Sequence, residues 1–156
     1  MTMPLAALTL AAALQPCAAG VAPRTMAAIV RVESGGWPLA VHDDTTGRGY
    51  VFDDRARAEA TASALLAAGH VLDLGVAQIN SGNLRALGLD VHASFDACAN
   101  LRAGSILLRR AYASASARFG PGQIALRHAL SAYNSGSFFA APAYVDRVVA
   151  ASGIVR

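Results

Sequence analysis

Lysine is missing from this chain. All 13 basic residues are Arg, so there is no phosphate-loop lysine, no Schiff-base lysine and no Ser-x-x-Lys acylation pair. Glu occurs only at 33 and 59, and charged residues fill 15% of the 156 positions. Charge this sparse, beside 54% apolar residues, excludes intrinsic disorder. No glycine period and no heptad run is present, which excludes collagen-like and coiled-coil architectures. The Arg residues are scattered, giving a net charge of +3 without the basic, aromatic-interleaved stripe of a nucleic-acid binder. So mild a charge suits a polyanionic partner or an ordinary solvated surface.

The chain opens with an apolar run from Met1 to Leu14, and no Arg occurs before Arg24. The run lacks the charged start of a secretory signal and falls short of the roughly 20 residues of a membrane span. Leu14-Gln15-Pro16-Cys17 is a poor lipoprotein cleavage site. Pro4 to Gln15 reads as the first helix of the folded domain, with a truncated or atypical export signal as the alternative. Cys17 and Cys98 are the only cysteines. Two cysteines in polar or turn-like contexts so far apart suit one disulfide better than a metal site, which wants closely spaced ligands. Two buried free thiols are the other reading. A disulfide would place the protein in an oxidising compartment.

Alanine fills 36 positions and favours helix. A first-turn proline, Pro23, opens an apolar-faced helix that reaches Glu33 and stops at Ser34-Gly35-Gly36-Trp37-Pro38. Residues 39–52 read as a hairpin-like region. Asp53 reads as the cap of a helix ending near Ala68. Val71 to Leu74 reads as a short strand, and Ser81 to Leu87 as a short helix. Asp96 caps a long helix ending near Gly120, Pro121 opens another, and a last helix spans Pro142 to Ala151. The expectation is one mostly helical α+β domain over residues 1–156 with a small β patch.

Few residues here can carry chemistry. Glu59 has Arg55 four positions before it and reads as a surface pair. His42, His70, His92 and His128 follow no metal-binding spacing and read as ordinary surface or core residues, so no metal or cofactor is expected. No Gly-x-Ser-x-Gly elbow exists. Glu33 stands apart. A carboxyl at a helix C-terminus meets negative partial charge, and burial beside Trp37 or Val32 would raise its pKa the same way. Such a group stays protonated near neutral pH and can donate a proton. The plain alternative is a surface Glu at a helix end.

Three segments occur in order: Glu33-Ser34-Gly35-Gly36, Gly75-Val76-Ala77-Gln78-Ile79-Asn80 and Ala132-Tyr133-Asn134-Ser135-Gly136, with Tyr144-Val145 beyond them. Together they resemble the ordered motifs of the soluble lytic transglycosylase family, which shares the goose-type lysozyme fold. Cys17 before a proline-opened helix, the Asp44-Thr45-Thr46-Gly47 turn and Phe95-Asp96-Ala97-Cys98-Ala99-Asn100 are similar to the branch attached to type IV secretion and conjugation machines. The likeness covers residues 5–150.

The resemblance implies cleavage of the bond between N-acetylmuramic acid and N-acetylglucosamine in peptidoglycan, with closure of a 1,6-anhydro ring. Glu33 would be the sole acid and base. Carried over in the same way, Ser34 is a polar contact beside the acid, Gln78 a cleft-wall sugar contact, and Tyr133 a partner of Glu33. Asn134 would meet a sugar amide and Tyr144 would line the cleft. The implied setting is the periplasm. The implied partners are glycan strands and secretion-system subunits, with no nucleic acid, and the protein acting as a monomer. Two positions depart from the pattern. Trp37 replaces an Asn, and Ala77 replaces a Met, which on this reading shrinks an apolar cleft contact. A hydrolytic muramidase is the alternative enzyme. It needs a second carboxylate, for which Asp73 is the best candidate, although Asp73 also reads as a plain strand-end residue. A non-catalytic wall-binding assembly factor is the third reading.

Overall fold

The computed structural model describes residues 14–153. Residues 14–17 are helical, and the rest of the helix expected over Pro4 to Gln15 lies outside the described residues. Helix α1, Pro23–Glu33, starts on its proline and buries Met26, Ala28, Ile29 and Val30. It ends because Gly35 and Gly36 take φ of +63° and +87°, a left-handed turn that side-chain-bearing residues resist.

Strands β1, Ala40–Asp43, and β2, Arg48–Val51, form the expected hairpin. Strand β3, Leu72–Leu74, and the two-residue β4, Ile79–Asn80, complete an antiparallel sheet in the order β2-β1-β3-β4. Helix α2, Arg55–Ala67, bridges β2 and β3. Its cap is Asp54, which accepts from the Arg57 backbone N–H at 2.8 Å, one residue later than the Asp53 expected. The buried Asp43 carboxylate closes the hairpin, accepting from Thr45 N–H, the Thr46 hydroxyl and His70.

Beyond β4 the chain makes two 3₁₀ turns, Ser81–Asn83 and Arg85–Leu87, where one short helix was expected. Asn80 explains the change, since its side chain accepts from Gly82 N–H and tightens the first turn. A four-residue helix α3, Val91–Ser94, capped by Asp90, carries no apolar period and was not legible. Helix α4, Ala97–Phe119, is capped by Asp96 as expected. Helix α5, Gln123–Ser135, begins two residues after Pro121, because Gly122 takes a non-helical φ of +124°. Helix α6 is Pro142–Ala151. The mostly helical α+β expectation holds.

The core runs between the sheet and the helices through Met26, Ile29, Leu72, Leu74, Leu101, Leu130 and Val148, all at most 2% exposed. Each such side chain contributes about 1.5–3 kcal/mol when fully buried. Helix α5 packs along α4, and α1 packs against α6. Cys17 and Cys98 form a disulfide across a sequence separation of 81. It ties the segment before α1 to the first turn of α4.

A loop that long constrains the unfolded chain by about 4 kcal/mol in the entropy model. Reduction is therefore expected to lower the melting temperature by on the order of 10 °C. Scanning calorimetry with and without reductant checks this, and an unchanged transition with both thiols alkylated contradicts it.

Candidate active site

Sheet register builds one wall of a cleft. His42 pairs with Asp73, and Asp73 pairs with Asn80, so three polar residues form a rung across β1, β3 and β4. Across the space stands the end of α5 with Tyr133 and Asn134, and Glu33 is the last residue of α1. The cleft encloses about 710 Å³.

Glu33 is half-buried. Loss of water raises its pKa from 4.5 to about 7. The Tyr144 hydroxyl and the Arg147 charge pull it down, and the Asp73 charge pushes it up. Burial outweighs the rest. The Tyr144 oxygen is itself buried and faces Glu33, without a hydrogen bond of ordinary geometry among the described residues. Asp73 is lifted to about 6, again chiefly by burial, with Asn80 opposing and Asp44 adding. The Asn80 amide bridges the two acids, donating to Asp73 at 2.9 Å and to Asp44 at 3.1 Å. An acid poised near neutrality can give a proton to a leaving oxygen and, once ionised, take one back.

The loop from Gly75 to Gln78 is pinned from three sides. Asn100, fully buried on α4, accepts from Ala77 N–H at 2.7 Å and donates to the Leu74 and Ser94 carbonyls. The Ser34 hydroxyl donates to the Val76 carbonyl at 2.7 Å, fastening the end of α1 to the loop. The Tyr133 hydroxyl donates to the Ala77 carbonyl at 2.9 Å. Gln78 takes φ of +50°, the sole positive φ outside glycine among the described residues. Its amide donates to the Gly75 carbonyl at 2.8 Å and the Ala40 carbonyl at 3.3 Å, which compensates the strain. Both amide donors are taken by backbone carbonyls, and Gln78 lines the cleft.

The structure thus gathers Glu33, Gln78, Tyr133 and Asn134 on one cleft, with Tyr144 buried beneath the acid. The Ser34 hydroxyl reaches the loop backbone, and the hydrogen bond of Tyr133 goes to Ala77 rather than to Glu33. Ala77 is fully buried and absent from the cleft wall, so the loss of a Met there alters packing and not a cleft contact. His42 lines the cleft as a partly exposed side chain. Asp73 lines it too, where the second-carboxylate reading needs it. Sequence reasoning missed Asp44, Asn80 and the structural role of Asn100. The rung pairing His42, Asp73 and Asn80 is the signal that would have found Asn80, whose amide in turn reaches Asp44, and it exists only in three dimensions.

Two carboxyls with raised pKa on one polar cleft, Glu33 at the end of a helix and Asp73 on the sheet, form a candidate acid–base centre on a mostly helical α+β scaffold. The chain belongs to the transglycosylase SLT domain family, whose model matches residues 12–143. It is 43% identical over 138 residues to the protein virB1 of Rhizobium radiobacter, covering 87% of this chain and 57% of that one. It is 41% identical over 150 residues to the type IV secretion system protein virB1 of Brucella abortus, covering 90% and 62% respectively. The chain therefore spans about three fifths of these relatives. No solved structure matches it significantly.

A carboxyl whose pKa rises on folding binds its proton more tightly in the folded state. Its ionisation therefore erodes stability as pH climbs from 4.5 through about 7. Glu33→Gln is expected to be more stable than the wild type at pH 8, by on the order of 2–3 kcal/mol. The gap should close by pH 4.5. Thermal unfolding across that range checks the sign, and a pH-independent gap contradicts the burial of Glu33.

Proposed function

We propose that residues 1–156 form one catalytic domain, a peptidoglycan lytic transglycosylase. The observation that carries this is the Glu33 carboxyl, held near pKa 7 by burial at the head of a polar cleft in a chain of the SLT family. Glu33 protonates the glycosidic oxygen as the bond to C1 of N-acetylmuramic acid breaks. The sugar's own 6-hydroxyl then attacks C1, and its proton passes to the Glu33 carboxylate. The proton lent is the proton regained, a 1,6-anhydro ring closes, and no water enters. A second protein carboxylate is unnecessary, because the substrate supplies the nucleophile.

Gln78 and Asn134 bind the sugars, Tyr144 faces the acid from below, and Ser34 and Tyr133 hold the cleft around it. The activity then belongs in the periplasm, opening the wall locally for a secretion machine, a reading supported by the likeness to a type IV secretion system protein. Glycan strands and secretion subunits are then its partners, and it works as a monomer.

Hydrolysis is the second reading, and the position of Asp73 favours it. This carboxyl lies on the same cleft and raises the pKa of Glu33 through its charge, so it could activate a water. Mass spectrometry of digested wall separates the two. Under transglycosylation the products are anhydromuropeptides, and Asp73→Asn keeps most of the activity. Glu33→Gln is expected to lose about 10⁴-fold or more, since one residue performs both proton transfers, each typically worth 10²–10⁴-fold. Reducing ends together with an inactive Asp73→Asn would make the enzyme a muramidase. A folded Glu33→Gln that still releases muropeptides at the wild-type rate would overturn both.

A further inference from the structure

Gly104 lies inside the long helix α4, buried, where glycine is less favourable than alanine. Its backbone does not take the left-handed conformation that would require glycine. The reason is space. A methyl group at 104 would stand 2.8 Å from Met26 Cε, 3.0 Å from the Tyr133 hydroxyl and 3.1 Å from Ala77 Cβ. These neighbours belong to α1, which ends at Glu33, to α5 and to the loop that carries Gln78.

The neighbours differ in how they can yield. Met26 presents the flexible end of its side chain and can turn aside. Tyr133 cannot. Its hydroxyl is bonded to the Ala77 carbonyl at 2.9 Å, and Ala77 N–H is held in turn by Asn100 at 2.7 Å. Any Cβ at 104 is therefore transmitted to the Tyr133 ring, which lines the cleft, and to the Ala77–Gln78 peptide.

We propose that Gly104 is a positioning residue for the cleft: the space left by its missing side chain seats the Tyr133 hydroxyl against the Ala77 carbonyl. The seat fixes how deep Tyr133 sits and where the Gln78 wall stands. Its catalytic consequence rests on the assignment of Glu33 as the acid, whereas the seat itself is a packing fact with its own readout.

Gly104→Ala is made alone and with Tyr133→Phe, whose ring lacks the colliding oxygen. Melting temperature and steady-state rates on purified wall are then measured for all four proteins. Alone, Gly104→Ala should lower the melting temperature by several degrees and reduce kcat about five- to tenfold, since the neighbours must give by a few tenths of an ångström, with little change in KM. In the Tyr133→Phe background only the Met26 and Ala77 contacts remain, so the alanine should cost less than half of that melting-temperature loss and less than about threefold in rate. Folding of the double variant where the single one fails supports the seat. Equal losses in both backgrounds, or wild-type behaviour of Gly104→Ala, overturn it. Should the wall prove not to be the substrate, the melting temperatures still decide the seat, so the two failures are distinguishable.

Discussion

Desolvation of the Glu33 carboxyl is the constraint on which the site depends. At the end of α1 the group is half out of water, between Tyr144 below, Asp73 across the cleft and Arg147 beyond. The cost of charging it there exceeds what the Tyr144 hydroxyl and Arg147 return, so the acid form survives to about pH 7. Ionising it in its pocket is unfavourable in the folded state, and the remainder of the fold supplies the stability against which that is set. Leu72, Leu74, Leu101 and Leu130, all at most 2% exposed, are part of that supply. The Cys17–Cys98 bridge adds to it at the first turn of α4.

Position matters as much as pKa, and here the scaffold works through backbone contacts. The Gly75–Gln78 loop has little regular structure, yet Asn100, Ser34 and Tyr133 each hold one of its peptide groups. Asn100 sits two residues after Cys98, so the disulfide and the loop anchor share the first turn of α4. Ser34 adjoins Glu33, so the same hydroxyl that fastens the loop also fixes the end of the helix bearing the acid. The wall opposite is rigid for a different reason. Three antiparallel strands set the His42, Asp73 and Asn80 rung by register.

Much of this was legible in the residues. Pro23 and the Gly35-Gly36 stop marked α1 and left Glu33 at its end, and Asp96 marked the start of α4. The Ala132-to-Gly136 motif marked the stretch of α5 that meets the cleft. Other features depend on what only folding brings together. Nothing in the spacing of His42, Asp73 and Asn80 says that they share a rung. Asp53 and Asp54 are equally good caps, and a difference of one residue in backbone geometry chose between them. The expectation that Ala77 faces the cleft failed because the loop's tight turn rotates it inward, toward Met26 and Gly104. The role of Gly104 was equally hidden, since a glycine in a helix gives no sign of what occupies its empty side.

The direct measurement is the titration of Glu33 by NMR, following its side-chain carboxyl carbon in the folded protein from pH 3 to pH 9. A midpoint near 7 is expected, well above the 4.5 of an ordinary Glu, with a smaller secondary step as Asp73 ionises near 6. A single transition near 4.5 would mean that the carboxyl is solvated and ionised at neutral pH, and it could not then serve as the acid.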